Sequence, residues 1–268
     1  MLDDKKGHRP KIIAVVNQKG GVGKTTSTIN IAAALGGSGL KTLVVDLDPQ
    51  GNASTGLGIE SAQRKTTVYD LLLEEVSLKD VIQETNFENL SIIPATTDLS
   101  SADIELVSNE KRSFLLHDCL RSIDMDALGF DVILIDCPPS LSLLTVNALI
   151  ASHSLLIPLQ AEFFALEGLS QLMLTVRDIR ETANPKLRIE GVLLTMFDRR
   201  NNLSLQVEQD ARDTLQDIVF KTMIPRNVRL SEAPSYAMPI REYDPTSLGG
   251  LAYEKLATEL RENWSKSL

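Results

Sequence analysis

Long apolar runs are missing from this chain of 268 residues: none reaches the roughly 18 to 20 residues that a membrane-spanning helix needs. The opening stretch, MLDDKKGHRPK, lacks the apolar core of a secretory signal, so the cytoplasm is the expected address. Cysteine is scarce. Cys119 and Cys137 suit a reducing compartment as buried thiols, and neither has the surroundings of an iron–sulfur ligand. His8, His117 and His153 show no metal-ligand spacing. Positive charge is also short, with 27 Lys and Arg against 36 Asp and Glu, a formal net charge of -9 and a pI of about 4.9. Such a chain does not coat nucleic acid with its whole surface, and any DNA contact has to be a local patch. Repeats, low-complexity tracts and long linkers are absent, so one domain is expected over residues 11–268, after a flexible segment over residues 1–10.

What is present reads as an α/β protein. Hydrophobic content of 43% and charged content of 24% are ordinary for a globular chain. KIIAVVN (11–17) is a nearly continuous β-branched run that ends at glycines, as a central parallel strand does. TTSTINIAAAL (25–35) has helical composition and stops before Gly36 and Gly37. Further strands are expected at 42–48, 90–94, 131–136, 154–159, 189–197 and 219–225, with helices at 102–123, 166–182, 206–216 and 250–264. The alternation predicts a mostly parallel twisted sheet with helices on both faces.

The most informative stretch is NQKGGVGKTT (17–26). Small residues between a strand and a helix let backbone N–H groups turn toward phosphate oxygens, and the helix adds its positive end. Lys19, Gly20, Gly21, Val22, Gly23, Lys24, Thr25 and Thr26 are therefore the expected phosphate contacts of ATP, with Lys24 between the β- and γ-phosphates and the Thr25 hydroxyl on Mg²⁺. The loop departs from the usual G-x-x-x-x-G-K-[ST] pattern: Gln18 stands at the first glycine and a second lysine, Lys19, leads the glycines.

Carboxylates fall where such a loop needs them. Asp136 closes the run DVILID, so it is expected at the carboxyl edge of the sheet, on the Mg²⁺ side and acting through water. Asp46 and Asp48, two apart at the end of the second strand, are expected to point to one side. Asp48, on a Pro-Gln-Gly turn, is expected to position the attacking water, and Asp46 to support the Mg²⁺ shell. Lys19, at the loop's entrance, is expected to point outward. In a face-to-face dimer it would reach the other subunit's ATP, as an arginine finger does in trans.

KGGVGKTT, LVVDLDPQGNAS, DVILIDCPPSLSLLTVNAL and PRNVRLSEAPSYAMPI, taken together and in this order, resemble the ParA/Soj family of chromosome- and plasmid-partitioning ATPases, within the deviant P-loop group. The resemblance runs from about residue 11 to the C-terminus. It implies an ATP-dependent homodimer that binds double-stranded DNA without sequence preference, and a ParB-type partner that triggers slow, Mg²⁺-dependent hydrolysis, in the cytoplasm at the nucleoid. Lys19 matches the family's signature lysine, Lys24 its phosphate lysine and Asp48 its hydrolytic aspartate. Pro225, Asn227 and Met196 are implied as nucleotide contacts, and Arg200 and Arg229 as DNA contacts. With the loop beginning by residue 17, an N-terminal helix-turn-helix domain and operator binding are not expected.

Three other readings use the same loop. A MinD-like ATPase on a membrane needs a C-terminal amphipathic helix with a basic polar face; here Glu254, Glu259 and Glu262 share that side, and Tyr253, Leu256, Ala257, Leu260 and Trp264 read as a core stripe. An iron–sulfur reductase needs cluster cysteines. A scaffold or switch that positions protein cargo without meaningful turnover needs the same residues as a timing ATPase.

Overall fold

The structure, a computed structural model, describes residues 9–162 and 165–266. Apart from Arg9 and Pro10, the expected flexible segment lies outside the described residues. Seven strands form one sheet in the order β3-β4-β2-β5-β1-β6-β7: β1 (Lys11–Val15), β2 (Thr42–Asp46), β3 (Gln83–Glu84), β4 (Leu90–Ile93), β5 (Val132–Asp136), β6 (Ser154–Gln160) and β7 (Arg188–Thr195). Every pairing is parallel except β3 with β4.

The strands read as continuous apolar runs because both faces are covered. On one face Ile13, Val15, Val44, Leu134 and Leu156 pack with α1 (Lys24–Gly37) and the C-terminal helix. On the other, Ile12, Ala14, Val45, Ile135 and Ile157 pack with α2 (Leu143–Ala151), α3 (Ala165–Thr182) and α4 (Asn202–Leu215). The C-terminal helix, α5 (Leu248–Lys266), turns its apolar stripe inward: Tyr253, Leu256, Ala257 and Leu260 are buried, and the Tyr253 hydroxyl lies 3.0 Å from Ser27 Oγ of α1. The stripe is thus spent on the core.

Two expected elements differ. The run at 219–225 is not a strand; it touches the sheet through isolated bridges, Val192 to Val219 and Phe197 to Pro225. The reason is Glu259 of α5, which accepts from the N–H groups of Lys221 (2.7 Å) and Thr222 (2.9 Å) and takes them out of any ladder. The helix expected at 102–123 is broken into Ala102–Glu105, Leu115–Leu120 and a further piece, Ile123–Leu128. Asparagines break it: Asn109 Oδ1 accepts from Lys111 N–H, and Asn147 of α2 bonds the Leu116 N–H and the Arg112 carbonyl. Such side-chain bonds compete with the helical ladder.

Candidate functional site

Between Val15 and Lys24 the chain forms a loop fastened on both sides. At its entrance Asn17 Nδ2 donates to the Pro158 carbonyl (2.7 Å) while its Oδ1 accepts from Lys19 N–H (3.0 Å). On its far side the Thr195 hydroxyl, at the end of β7, donates to the Val22 carbonyl at 2.9 Å. Gly21 and Gly23 have φ of +76° and +87°, conformations that β-carbons disfavour. A Cβ placed on Gly20 or Gly21 would meet nothing within 4 Å, so the loop's outer wall is an open backbone cradle. Lys24 is buried and folds back across it, its Nζ donating to the Lys19 carbonyl at 2.9 Å. Burial lowers the Lys24 pKa, and the charges of Asp136, Cys137 and Asp48 oppose that. Thr26 lies beside the cradle with Asn30 and Asn52 around a cavity of about 280 Å³.

Strand register brings the carboxylates together. Asp136 pairs with Asp46 across β2 and β5 and with Val15 across β1 and β5, so both acids stand at the carboxyl edge where the loop starts. Both are completely buried. Asp46 is committed to donors: Ser54 N–H (2.8 Å) and Ser54 Oγ (2.7 Å) bond one oxygen, and Asp48 N–H (3.3 Å) the other. Burial pushes its pKa up to about 6 against those bonds. Asp136 accepts from Thr28 Oγ1 at 3.1 Å through Oδ1, while its Oδ2 has no hydrogen-bond partner. Burial first, then the nearby Asp46, pushes Asp136 up to about 8, and the Thr25 and Thr28 hydroxyls pull the other way. A buried, unpartnered carboxylate oxygen beside the Thr25 hydroxyl and Lys24 fits a hard divalent cation.

Asp48 starts the turn after β2; its Oδ1 accepts from Gln50 N–H at 3.0 Å and its carbonyl from Gly51 N–H at 2.9 Å. Asp46 and Asp48 therefore differ in setting: the first is locked by Ser54, the second sits on a turn. The Lys19 side chain is 46% exposed and meets Glu162 of the segment after β6 in an ion pair.

The three residues implied as nucleotide contacts lie on adjacent segments. Met196 follows Thr195 directly, with φ +51°, and lines a cavity of about 230 Å³ with Arg226. Pro225 bridges to Phe197, and Asn227 caps the short helix Val228–Glu232 by accepting from Arg229 N–H at 2.8 Å. The arginines implied as DNA contacts are both paired within the chain. Arg200 makes a two-pronged contact with Asp198, both bonds 3.0 Å, and Arg229 holds Glu232 at 2.8 Å and Asp244 at 3.5 Å. Arg200 also borders a groove of about 880 Å³ whose other cations are Arg199, Lys221, Arg226 and Lys255.

A phosphate-loop cradle beside two strand-end aspartates narrows the comparison with known proteins. Residues 10–189 match the family model described as AAA domain. The sporulation initiation inhibitor protein Soj of Bacillus subtilis is 53% identical over 94% of this chain and 99% of its own length. The chromosome partitioning protein ParA of Caulobacter vibrioides is 51% identical over 93% of each. The chain belongs to the ParA/Soj family of partitioning ATPases. Among solved structures, cobyrinic acid a,c-diamide synthase from Mycobacterium smegmatis, with bound ADP and magnesium, superposes with a TM-score of 0.83 at 35% identity, covering 97% of both chains. Within this ParA/Soj chain, the residues that hold the motif side chains in place were invisible in the motifs: Ser54 on Asp46, Thr28 on Asp136, and Asn17 and Thr195 on the loop. Asn17, Thr28 and Ser54 lie inside the motif runs, but nothing in those runs marks them as partners of Pro158, Asp136 or Asp46.

Proposed function

We propose that this ParA/Soj member is a slow, Mg²⁺-dependent ATPase whose ATP-bound homodimer holds double-stranded DNA without sequence preference and is reset by a ParB-type partner. The observation that carries the nucleotide half is the unpartnered Asp136 Oδ2, buried next to Thr25 and Lys24 under the glycine cradle. ATP phosphates would lie on the backbone of residues 19–26, and Met196, Pro225 and Asn227 would border the base. Asp136 and Thr25 would hold the Mg²⁺, with Asp46 supporting from behind. Among the described residues no group of three or more His, Cys, Asp or Glu forms a self-sufficient metal site, which suits an ion that takes the rest of its shell from phosphate and water. When bound, the ion neutralises charge on the transferred phosphoryl group.

The chain's own groups do the remaining work. Lys24 supplies a positive charge from within, and Asp48 orients the attacking water from its turn. Lys19 leaves Glu162 and reaches across the dimer to the other subunit's phosphates. Arg200 and Arg229 exchange carboxylates for DNA phosphates, a swap that raises local counter-ion sensitivity. Cytoplasmic, nucleoid-associated location follows from that binding. Among the described residues no helix is long and apolar enough to cross a membrane.

A second reading, an ATPase that positions protein cargo, draws on the intrachain pairing of both arginines. One experiment separates the two: binding to a non-specific duplex, with mass in solution read alongside, without nucleotide, with ADP, with ATP, and with ATP and Lys24→Gln. Dimerisation and DNA binding only with ATP and Lys24 supports the DNA switch. ATP-driven dimers that ignore DNA transfer the function to protein cargo, and absence of any nucleotide response sinks both.

A further inference from the structure

At the opposite edge of the sheet from the phosphate loop lies another cavity, of about 600 Å³, around the first residues of β1, β6 and β7, which are Lys11, Ser154 and Arg188. Its volume suits a small ligand. Its charge is unbalanced. The carboxylate among its lining residues, Glu190, is taken up by Lys11 (3.0 Å), Ser154 Oγ (2.5 Å) and Trp264 Nε1 (2.5 Å). That leaves Arg121, Lys186 and Arg188, which among the described residues pair with no carboxylate. Arg121 uses its Nε on the Ala151 carbonyl at 3.0 Å, at the end of α2, which orients the rest of the guanidinium. His117, also in the lining, is held by Asp118 at 2.9 Å.

His153 faces the same cavity. Its Nδ1 accepts from Ile12 N–H at 3.0 Å, which makes Nε2 the proton-bearing nitrogen of a ring that lines the cavity. Burial, then the charges of Arg121, Lys11 and Arg9, push its pKa down to about 4. The charged groups that act on this ring, Arg121, Lys11 and Arg9, are all cations, and the lining holds more cations than carboxylates. The walls between the cations are apolar, from Ile150, Ile189 and Pro185.

We propose that this cavity binds a small phosphorylated molecule, its phosphate held by Arg121, Arg188 and Lys186 and its carbon part laid on Ile150 and Ile189. Planar guanidinium groups suit phosphate oxygens, and the apolar walls favour an organic phosphate over a bare ion. The position, a whole strand length from the phosphate loop, keeps the two sites from competing for one ligand. The assignment does not depend on what the chain does with ATP.

The test is nuclear magnetic resonance of the histidine ring signals in the full chain, titrated with glycerol 3-phosphate, then with inorganic phosphate, and with chloride at matched ionic strength. ADP and Mg²⁺ are present at saturation in one series and absent in the other. Saturable movement of the His153 signals, tighter for glycerol 3-phosphate than for phosphate and absent with chloride, is expected in both series. Arg121→Gln with Arg188→Gln is expected to weaken it by about tenfold or more while ATP turnover stays at the parental rate. No saturable shift below about 10 mM, an equal effect from chloride or phosphate, or full retention in the double variant overturns the proposal.

Discussion

Ser54→Ala tests whether the site is held together as described. Ser54 is completely buried, and its hydroxyl does two things: it donates to Asp46 Oδ2 at 2.7 Å and accepts from Ala95 N–H at 3.1 Å. A hydrogen bond to a carboxylate contributes about 1.5–3 kcal/mol, and a buried N–H left without an acceptor costs about 1–3 kcal/mol. Both losses come from one atom and the Ser54 N–H bond to Asp46 survives, so the sum overstates the change and about 3 kcal/mol is expected. In a chain of this size that lowers the melting temperature by roughly 6–12 °C. A freed Asp46 also slackens its bond to Asp48 N–H, so turnover at a temperature where the variant is folded is expected to fall about tenfold and to need more Mg²⁺. Urea unfolding followed by circular dichroism gives the first number, and phosphate release across a Mg²⁺ series the second. A loss under about 1 kcal/mol together with an unchanged Mg²⁺ requirement would refute the role of Ser54 in holding Asp46.

Asp48→Ala is expected to bind ATP like the parent and to lose nearly all turnover in single-turnover assays; parental hydrolysis would remove Asp48 from its role. Glu162→Gln releases Lys19, so ATP-driven dimerisation seen by sedimentation should tighten by up to about fivefold, the ceiling of ~1 kcal/mol for a part-exposed ion pair, and weaker dimers would refute the pairing. Arg200→Ala and Arg229→Ala should each weaken duplex binding and reduce its salt slope by about one, with unchanged slopes excluding them as phosphate contacts. His153, folded pKa about 4 against 6.5 unfolded, contributes stability that is complete above pH 6.5 and lost as pH falls toward 4, because the unfolded chain takes up the proton first. Discounted for solvent screening of a part-exposed ring, the loss is about 1–2 kcal/mol, and His153→Asn should flatten it in urea titrations between pH 7 and 4.5; an unchanged acid limb refutes the assignment.

The sequence was most legible where chemistry is local. KIIAVVN followed by glycines could hardly be anything but a buried strand feeding an anion loop, and both its strand and its helix are there. DVILID likewise placed Asp136 at a strand end before any partner was known. Legibility failed where a distant side chain decides. Glu259 takes the N–H groups of Lys221 and Thr222 from across the fold, so an apolar run with strand composition stays outside the ladder. Asn147, thirty-one positions from Leu116, helps break a segment of helical composition. The two-residue β3 is too short to carry an alternating pattern. Arg200 is a different kind of case. Its partner Asp198 stands two residues before it, close enough to read in FDRRNN, but a short-range pair says nothing about which way the arginine is used once DNA is near.

Parallel strand order explains why the two anion sites are built so differently. With β2, β5 and β1 adjacent and running the same way, Asp46, Asp136 and the start of the phosphate loop arrive side by side although the chain between them is long. The helix that follows β1 begins there, so its free N–H groups and positive end already favour an anion, and glycines need only expose the backbone. At the opposite edge the sheet meets helix C-termini, such as the end of α2 at Ala151, whose negative dipole end disfavours an anion. A phosphate can be held there only by side-chain charge in excess of that field. Arg121 covers the Ala151 carbonyl and, with Lys186 and Arg188, leaves the cavity with cations in excess of its carboxylate. The first site rests on backbone and one buried lysine, Lys24, whereas the second depends wholly on side-chain cations that single substitutions can remove.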